Sequence, residues 1–429
     1  MKIVNKFGGG IIGNGSGFAD MDRVTGSYAV PQLDVLSAPE GVTDMLLKCL
    51  NPLNLDSIDS VFDYTSEIGR TQIKSNYELD GFNKKLRVMK SDAISKPSYD
   101  KILTLGERIS AELYYHHLRS MGREVGIVNF DIESPEEFPI VAYGIQGDAN
   151  IKLKKSKSRI GIIIEEMENH GECVTPGFLG VTEQNEIRAL GRGGTDTTAL
   201  ASAYALDVNK VNLWKGTKGV RTADPGIVKN TRLIPHISYS EANNMTKSGA
   251  KIVQHKSSKL AEETGIKMRI PYIKDSSIFT VINGERRAEE PLVKYVGGND
   301  NAKMISCSFD EFLEIREECQ KQNQQDDFFI LHGNYDSLRV LILNNKNNIH
   351  KGKKVGVATL VGDRLKETKG VLERASHQLR KQKINIIDYG SGGEEELYMS
   401  FIMENTLTES SIIKLHKEFI EEDPYWKSR

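Results

Sequence analysis

The chain has 429 residues, room for two to four domains at ~100–200 residues each. Its 57 Lys and Arg against 59 Asp and Glu leave a net charge of −2, which gives no electrostatic reason to expect nucleic acid or an acidic membrane as partner. A hydrophobic content of 38% argues for a chain that buries a core and against a disordered one. No apolar run approaches the ~20 residues of a membrane span; the longest, 160–164, ends at Glu165 and Glu166. Met1 leads straight into a strand-like segment, so no signal peptide is expected. The four cysteines, at 49, 173, 307 and 319, include no pair at CxxC spacing and read as reduced thiols in a cytoplasm.

Over roughly the first 290 residues, short β-branched runs alternate with helical patterns, the mark of an α/β layered fold. Residues 1–7 and 33–37 predict the first two strands, and 43–120 predict a mostly helical stretch. Further strands are expected at 124–130, 158–165, 208–214 and 266–273. A helix is expected after Gly194, capped by Thr195 or Asp196, with Leu200, Ala203, Tyr204 and Leu206 as its apolar positions. Polar breaks follow at 320–327 and 344–350. Residues 355–361, 384–389 and 397–403 predict strands, with an amphipathic helix over 370–381 and another opening at Thr408. That order is β-α-β-β-α, and 304–343 reads as a shorter copy, with its helix through Phe312 and Ile315.

Two glycine-rich loops carry the chemistry. In the first, Lys6 and Phe7 end the first strand before Gly8, Gly9 and Gly10, where backbone N–H groups can cradle phosphate oxygens and Lys6 can add a point charge. A plain tight turn is the alternative, and neither the Rossmann nor the P-loop glycine pattern is met. The second loop, 191–196 (GRGGTD), enters a helix N-terminus and brings a guanidinium, free N–H groups and a carboxylate close together. Arg192 can hold a carboxylate while Asp196 pairs with an ammonium, or Asp196 can be a simple helix cap. Glu107 falls in the first turn of a helix, favourable on dipole grounds alone. His116 and His117 are neighbours and so do not share a helix face, which argues against a metal site. The basic stretch 152–159 (KLKKSKSR) reads as a solvated loop, without the aromatics of a nucleic-acid surface.

Taken together and in order, these segments resemble the aspartokinases, of the amino-acid kinase family. The resemblance covers nearly the whole chain. It rests on KFGGG at 6–10, LSAPEGVTDML at 36–46, LGERISAEL at 105–113, LGRGGTDTTALASAYAL at 190–206, GVRTADP at 219–225 and ISYSEANNMTKSGAK at 237–251, while 357–386 resembles an ACT domain. The resemblance implies an α/β catalytic domain over 1–290, an open, mostly parallel sheet sandwiched by helices. It implies α+β ferredoxin-like ACT domains over 291–429, in units of about 296–345 and 350–429. It implies transfer of the γ-phosphoryl of ATP, with Mg²⁺, to the side-chain carboxylate of L-aspartate, on the route to lysine, threonine and methionine.

By residue, the resemblance gives Lys6 the transferring phosphoryl group, with Gly8 and Gly9 beside the nucleotide. Ser37, Thr43 and Glu107 fall in the aspartate pocket. Arg192, Thr195 and Asp196 grip the carboxylate and ammonium of the substrate, and Lys251 reaches the nucleotide phosphates. The catalytic set is Lys6, Glu107 and Asp196, with no protein metal ligand. Gly10 stands where the family has Thr or Ser. In the nucleotide segment 214–226 the family's Thr–Asp pair is Lys215–Gly216, its Tyr is Arg221 and its last Arg is Gly226. Lys215 and Arg221 can restore positive charge in a working kinase, or the nucleotide can be another triphosphate. A third reading is an amino-acid sensor without turnover. The tail implies a homodimer or larger, with lysine or threonine bound near 362–370 and 385–387, or a purely structural role in dimerisation.

Overall fold

The computed structural model describes the chain except residues 1, 14, 51–56, 96, 132, 251, 286–290, 322–326, 344–351, 364, 366–367, 393–396 and 428–429. Expectations for Lys251, for most of the two polar breaks and for part of the 362–370 loop lie outside the described residues. Contacts divide the chain into two compact units, Met1–Gly219 with Lys256–Asn283, and Val220–His255 with Gly284–Arg429. The chain thus leaves the first unit, enters the second for 36 residues, returns, and leaves again; the sequence-based division near 290 has no counterpart of this excursion.

The first unit is built on β1 (Ile3–Phe7), β2 (Gln32–Leu36), β3 (Gly126–Ile127), β4 (Glu172–Pro176), β5 (Lys210–Trp214), β6 (Lys267–Tyr272) and β7 (Asp275–Asn283). Its strand order is β7-β6-β5-β1-β2-β4-β3, parallel except for the β6–β7 pair. β2 and β4 are buried along their whole length, as strands covered on both faces must be, which explains their continuous apolar character. The stretch 43–120 is helical as expected. It opens with α1 (Val42–Leu50) and closes with α2 (Leu105–Ser120), with intervening helices at Ile58–Gln72, Asn76–Ser95 and Tyr99–Leu103.

Three sequence expectations fail here. The run 158–165 is helical, not a strand: α3 (Leu153–Arg159) passes through Ile160 into α4 (Gly161–His170). Ile160, Ile163 and Met167 are buried at helical spacing, so tertiary packing overrides the β preference of three successive isoleucines. The strand lies just beyond, at Glu172–Pro176, after Gly171 closes the helix in the left-handed region. The basic stretch is therefore α3, not a loop; its Lys152 and Lys155 pair with Glu183, and Lys157 pairs with Asp207. The strand expected over 124–130 shrinks to Gly126–Ile127.

The second unit carries an antiparallel sheet of β8 (Tyr295–Cys307), β9 (Asp327–Asn334), β10 (Ser337–Leu343), β11 (Lys353–Val361), β12 (Asp388–Gly392) and β13 (Tyr398–Met403), in the order β9-β10-β8-β11-β13-β12. Each half runs strand, helix, strand, strand, and the first strands of the two halves, β8 and β11, pair with each other. The strand expected at 384–389 begins later, because Lys383 turns the chain at positive φ and Ile384 drops into the core. A capping box at Ser238 and Glu241 starts the helix Tyr239–Lys247. Glu241 also takes Lys294 as a fully buried ion-pair partner at 2.7 Å.

Candidate active site

Lys6 stands at the carboxyl end of β1, the strand from which the sheet runs to β2 on one side and to β5 on the other. In open parallel sheets such a reversal of strand order leaves a crevice at the carboxyl ends, where ligands bind. Gly8 is extended, and the short helical turn Gly9–Ile12 follows. A Cβ on Gly9 would lie 2.8 Å from the Ala38 carbonyl, so this glycine is required by close approach of the two strand-end loops. Gly10 has open space around its Cα, and the side chain the family carries there would fit.

The second loop leads into a helix. α5 spans Gly194–Ala205, with left-handed Gly193 at its N-cap and no side-chain cap. Thr195 and Asp196 are thus inside the first turn, and neither caps the helix as the sequence suggested. Asp196 is left free to pair elsewhere, and its carboxylate meets the Lys6 ammonium at 2.7 Å, both groups buried. Burial alone would raise the Asp196 pKa, but the ammonium groups of Lys6 and Lys215 outweigh it and hold the carboxyl below its ordinary range. Lys215 follows Trp214 at the end of β5, and burial pulls its pKa down, with Asp196 opposing and Lys6 assisting. The replacement of the family's threonine therefore adds a second lysine to the Lys6–Asp196 cluster.

Glu107 completes the centre. It lies in the first turn of α2, where Gly106 lets the helix pack onto Ala38 and Val42. Burial pushes its carboxyl up to about 8, against the Ala38 and Glu107 N–H groups and the charge of Lys6, which lower it. One carboxyl oxygen, Oε2, is buried without a hydrogen-bond partner, so an incoming donor would meet an acceptor already stripped of water. Ser37 is half-buried at the end of β2, its N–H bonded to the Phe7 carbonyl, and Thr43 is half-buried at the start of α1. Arg192 is exposed between Gly191 and Gly193.

The nucleotide-side expectations are less tightly assembled. Gly216 is exposed with nothing packed on it. Arg221 belongs to the second unit, where its guanidinium bonds the Thr231 hydroxyl at 3.2 Å and the Thr231 carbonyl. His116 and His117 bind different partners, Glu78 at 2.7 Å and Asp22 at 2.8 Å. Among the described residues no group of three His, Cys, Asp or Glu could hold a metal ion.

Sequence reasoning missed Lys256 and Asp148. The Lys256 ammonium lies 3.0 Å from Asp148 Oδ1, 2.9 Å from the Leu190 carbonyl and 2.5 Å from the Ala149 carbonyl. Gly191, at positive φ, leaves room for the Asp148 carboxylate that any side chain would displace. Asp148 and Lys256 are 108 residues apart, and neither sits in a motif that would single it out.

A parallel sheet whose central strand ends in a lysine paired with a buried aspartate, with a second lysine acting on that aspartate, defines an α/β protein with a cationic cluster at the carboxyl end of its sheet. The chain belongs to the amino acid kinase family, which residues 1–271 match. The aspartate kinase of Pseudomonas fluorescens (strain SBW25) is 27% identical over 273 residues, covering 57% of this chain and 65% of that protein's length. The chain therefore matches a little under two thirds of that relative. Escherichia coli aspartokinase III, solved with aspartate and ADP, shares the fold at a TM-score of 0.80 and 20% identity, covering 97% of this chain and 99% of that one. The same enzyme with lysine and aspartate gives 0.76 at 19% identity, with the same coverage. The fold expected from the resemblance, a kinase-type parallel sheet followed by ACT-like antiparallel structure, is the fold observed.

Proposed function

We propose that the chain is an aspartate kinase, transferring the γ-phosphoryl of MgATP to the side-chain carboxylate of L-aspartate. The observation that carries the reading is the cluster in which Lys6 and Lys215, at the ends of β1 and β5, bear on Asp196 in the first turn of α5, with Lys6 also acting on Glu107 in the first turn of α2, one of whose carboxyl oxygens is buried without a hydrogen-bond partner. Phosphoryl transfer asks the protein for position and charge neutralisation rather than covalent chemistry. The acceptor carboxylate is ionised at neutral pH and needs no strong base. Donor and acceptor are both anions, and Lys6 and Lys215 offset their repulsion, with Lys6 nearest the transferring group. The α-carboxylate is assigned to Arg192, and the α-ammonium to Asp196 and Glu107, with Ser37, Thr43 and Thr195 lining the pocket. Mg²⁺ would enter with the nucleotide, coordinated through its phosphates.

The second unit is assigned to regulation in a homodimer, with lysine the first effector to test, since lysine is the ligand reported for E. coli aspartokinase III. No described helix is long and apolar enough to cross a membrane, and the proposed setting is the cytoplasm. The test is an acyl-phosphate assay with MgATP, L-aspartate and hydroxylamine, with each component omitted in turn. Hydroxamate that needs every component supports the assignment. Its absence with both ATP and GTP, while aspartate still shifts the melting temperature, overturns it in favour of an amino-acid sensor.

A further inference from the structure

Lys256 occupies a position that local electrostatics disfavours. It is the second residue of the helix His255–Thr264, whose first turn carries no acid, and a cation there opposes the helix dipole. Three acceptors compensate: Asp148 Oδ1 at 3.0 Å, the Leu190 carbonyl at 2.9 Å and the Ala149 carbonyl at 2.5 Å. Each acceptor belongs to, or flanks, the segment that presents Arg192. Leu190 precedes Gly191, the Ala149 N–H donates to the Ala189 carbonyl, and Asp148 fills the space over Gly191. The next residue acts on the same loop from its other end, since Ser257 Oγ donates to the Gly193 carbonyl at 3.1 Å and bonds Thr197 Oγ1 at 2.9 Å. A break in a local rule, repaired by contacts that converge on one loop, is expected where function fixes geometry.

We infer that Lys256 is a positioning residue: its ammonium, with Asp148, clamps the 189–193 loop onto the hairpin Ala142–Tyr143/Asn150–Ile151 and so sets the reach of Arg192 toward the α-carboxylate of the substrate. Arg192 is exposed, and the glycines that flank it on both sides leave its backbone conformationally free. Without the clamp the guanidinium loses its ordering entropy only on binding, which weakens affinity before it slows the chemical step. The assignment of the ligand rests on the aspartate kinase reading; the clamp itself does not.

Two readouts on the full chain separate these. Hydrogen exchange compares wild type with Lys256→Met and Asp148→Asn at residues 142–151 and 189–194. Faster exchange there, with other regions unchanged, is the expected result, and unchanged exchange overturns the clamp whatever the substrate. Steady-state kinetics then should show the aspartate KM rising about tenfold or more in Lys256→Met, while kcat and the nucleotide KM stay within about threefold. Lys256→Arg should recover most of the loss, and Lys256→Met/Asp148→Asn should be no worse than Lys256→Met alone. An aspartate KM within about twofold of wild type, or equal losses in all constants together with a lower melting temperature, would overturn the positioning role. If wild type makes no aspartyl hydroxamate, the substrate assignment fails and the exchange result alone decides the clamp.

Discussion

Glu107→Gln replaces a buried carboxyl by an amide of the same shape and removes one titration from the centre of the site. Burial holds the Glu107 carboxyl at about 8, against an ordinary value of 4.5. For an acid raised in the folded state, the unfolded chain loses its proton first. The stability contributed by this group is therefore greatest below pH 4.5, falls as pH rises, and levels off above the folded value. Each pH unit in that window removes about 1.4 kcal/mol, so the full span amounts to about 5 kcal/mol. Urea unfolding of both proteins at about pH 5.5 and 7.5 should show wild type losing about 2.7 kcal/mol more than Glu107→Gln across the interval. The same carboxyl is about nine-tenths protonated at about pH 7, so an aspartate ammonium arriving at Oε2 should drive a proton off. Titration calorimetry in buffers of unlike ionisation enthalpy reads that release directly, at roughly half a proton or more for wild type and none for the variant. A pH-independent stability difference between the two proteins, with no buffer dependence of the binding heat, would refute the argument that Glu107 is a desolvated acid waiting for a cation.

Lys6→Met should lower kcat by about 10²–10³, because it removes a preorganised donor to developing phosphoryl charge, and hydroxamate formation at saturating substrates measures this. Gly9→Ala should lower the melting temperature and the activity together, since its Cβ meets the Ala38 carbonyl at 2.8 Å, whereas Gly10→Ala should leave the melting temperature unchanged. Lys294→Met should destabilise the second unit by about 3–5 kcal/mol by stranding the buried Glu241 charge, and Lys294→Met/Glu241→Gln should restore most of it in chemical denaturation.

The parts of the site written within a few consecutive residues are legible in the sequence itself. Lys6 with its glycines, Arg192 with Asp196, and Glu107 each sit beside a strand end or a helix start that local pattern marks. Their meeting is supplied by the family resemblance, because no local pattern brings residues 6, 107 and 196 together. Lys215 stands out as a departure, but only the register of β5 beside β1 shows its ammonium bearing on Asp196 and Lys6. Lys256 is invisible among neighbouring lysines because its partners Leu190 and Asp148 lie 66 and 108 residues away, well beyond local patterning. In the fold, the isoleucines at 160–164 mislead because β-branched composition and a buried helical stripe look alike over so short a run. Thr195 and Asp196 look like caps because those residue types usually are, whereas left-handed Gly193 takes that place and releases Asp196 to Lys6.

The excursion of Val220–His255 bears on how this chain can be taken apart and rebuilt. A truncated chain ending near Asn283 would keep Glu241 while discarding its partner Lys294, and would keep Thr222 while discarding His416, to which it bonds at 2.9 Å. Such a fragment is expected to aggregate rather than to behave as an isolated first unit. Exchange of C-terminal segments between relatives meets the same obstacle, since a segment joined after residue 283 arrives without the 36 residues that belong to its unit. A working chimera must carry both stretches, with one junction on each side of 220–255 and a third near 284, so that the two units are inherited as interleaved halves rather than as a head and a tail.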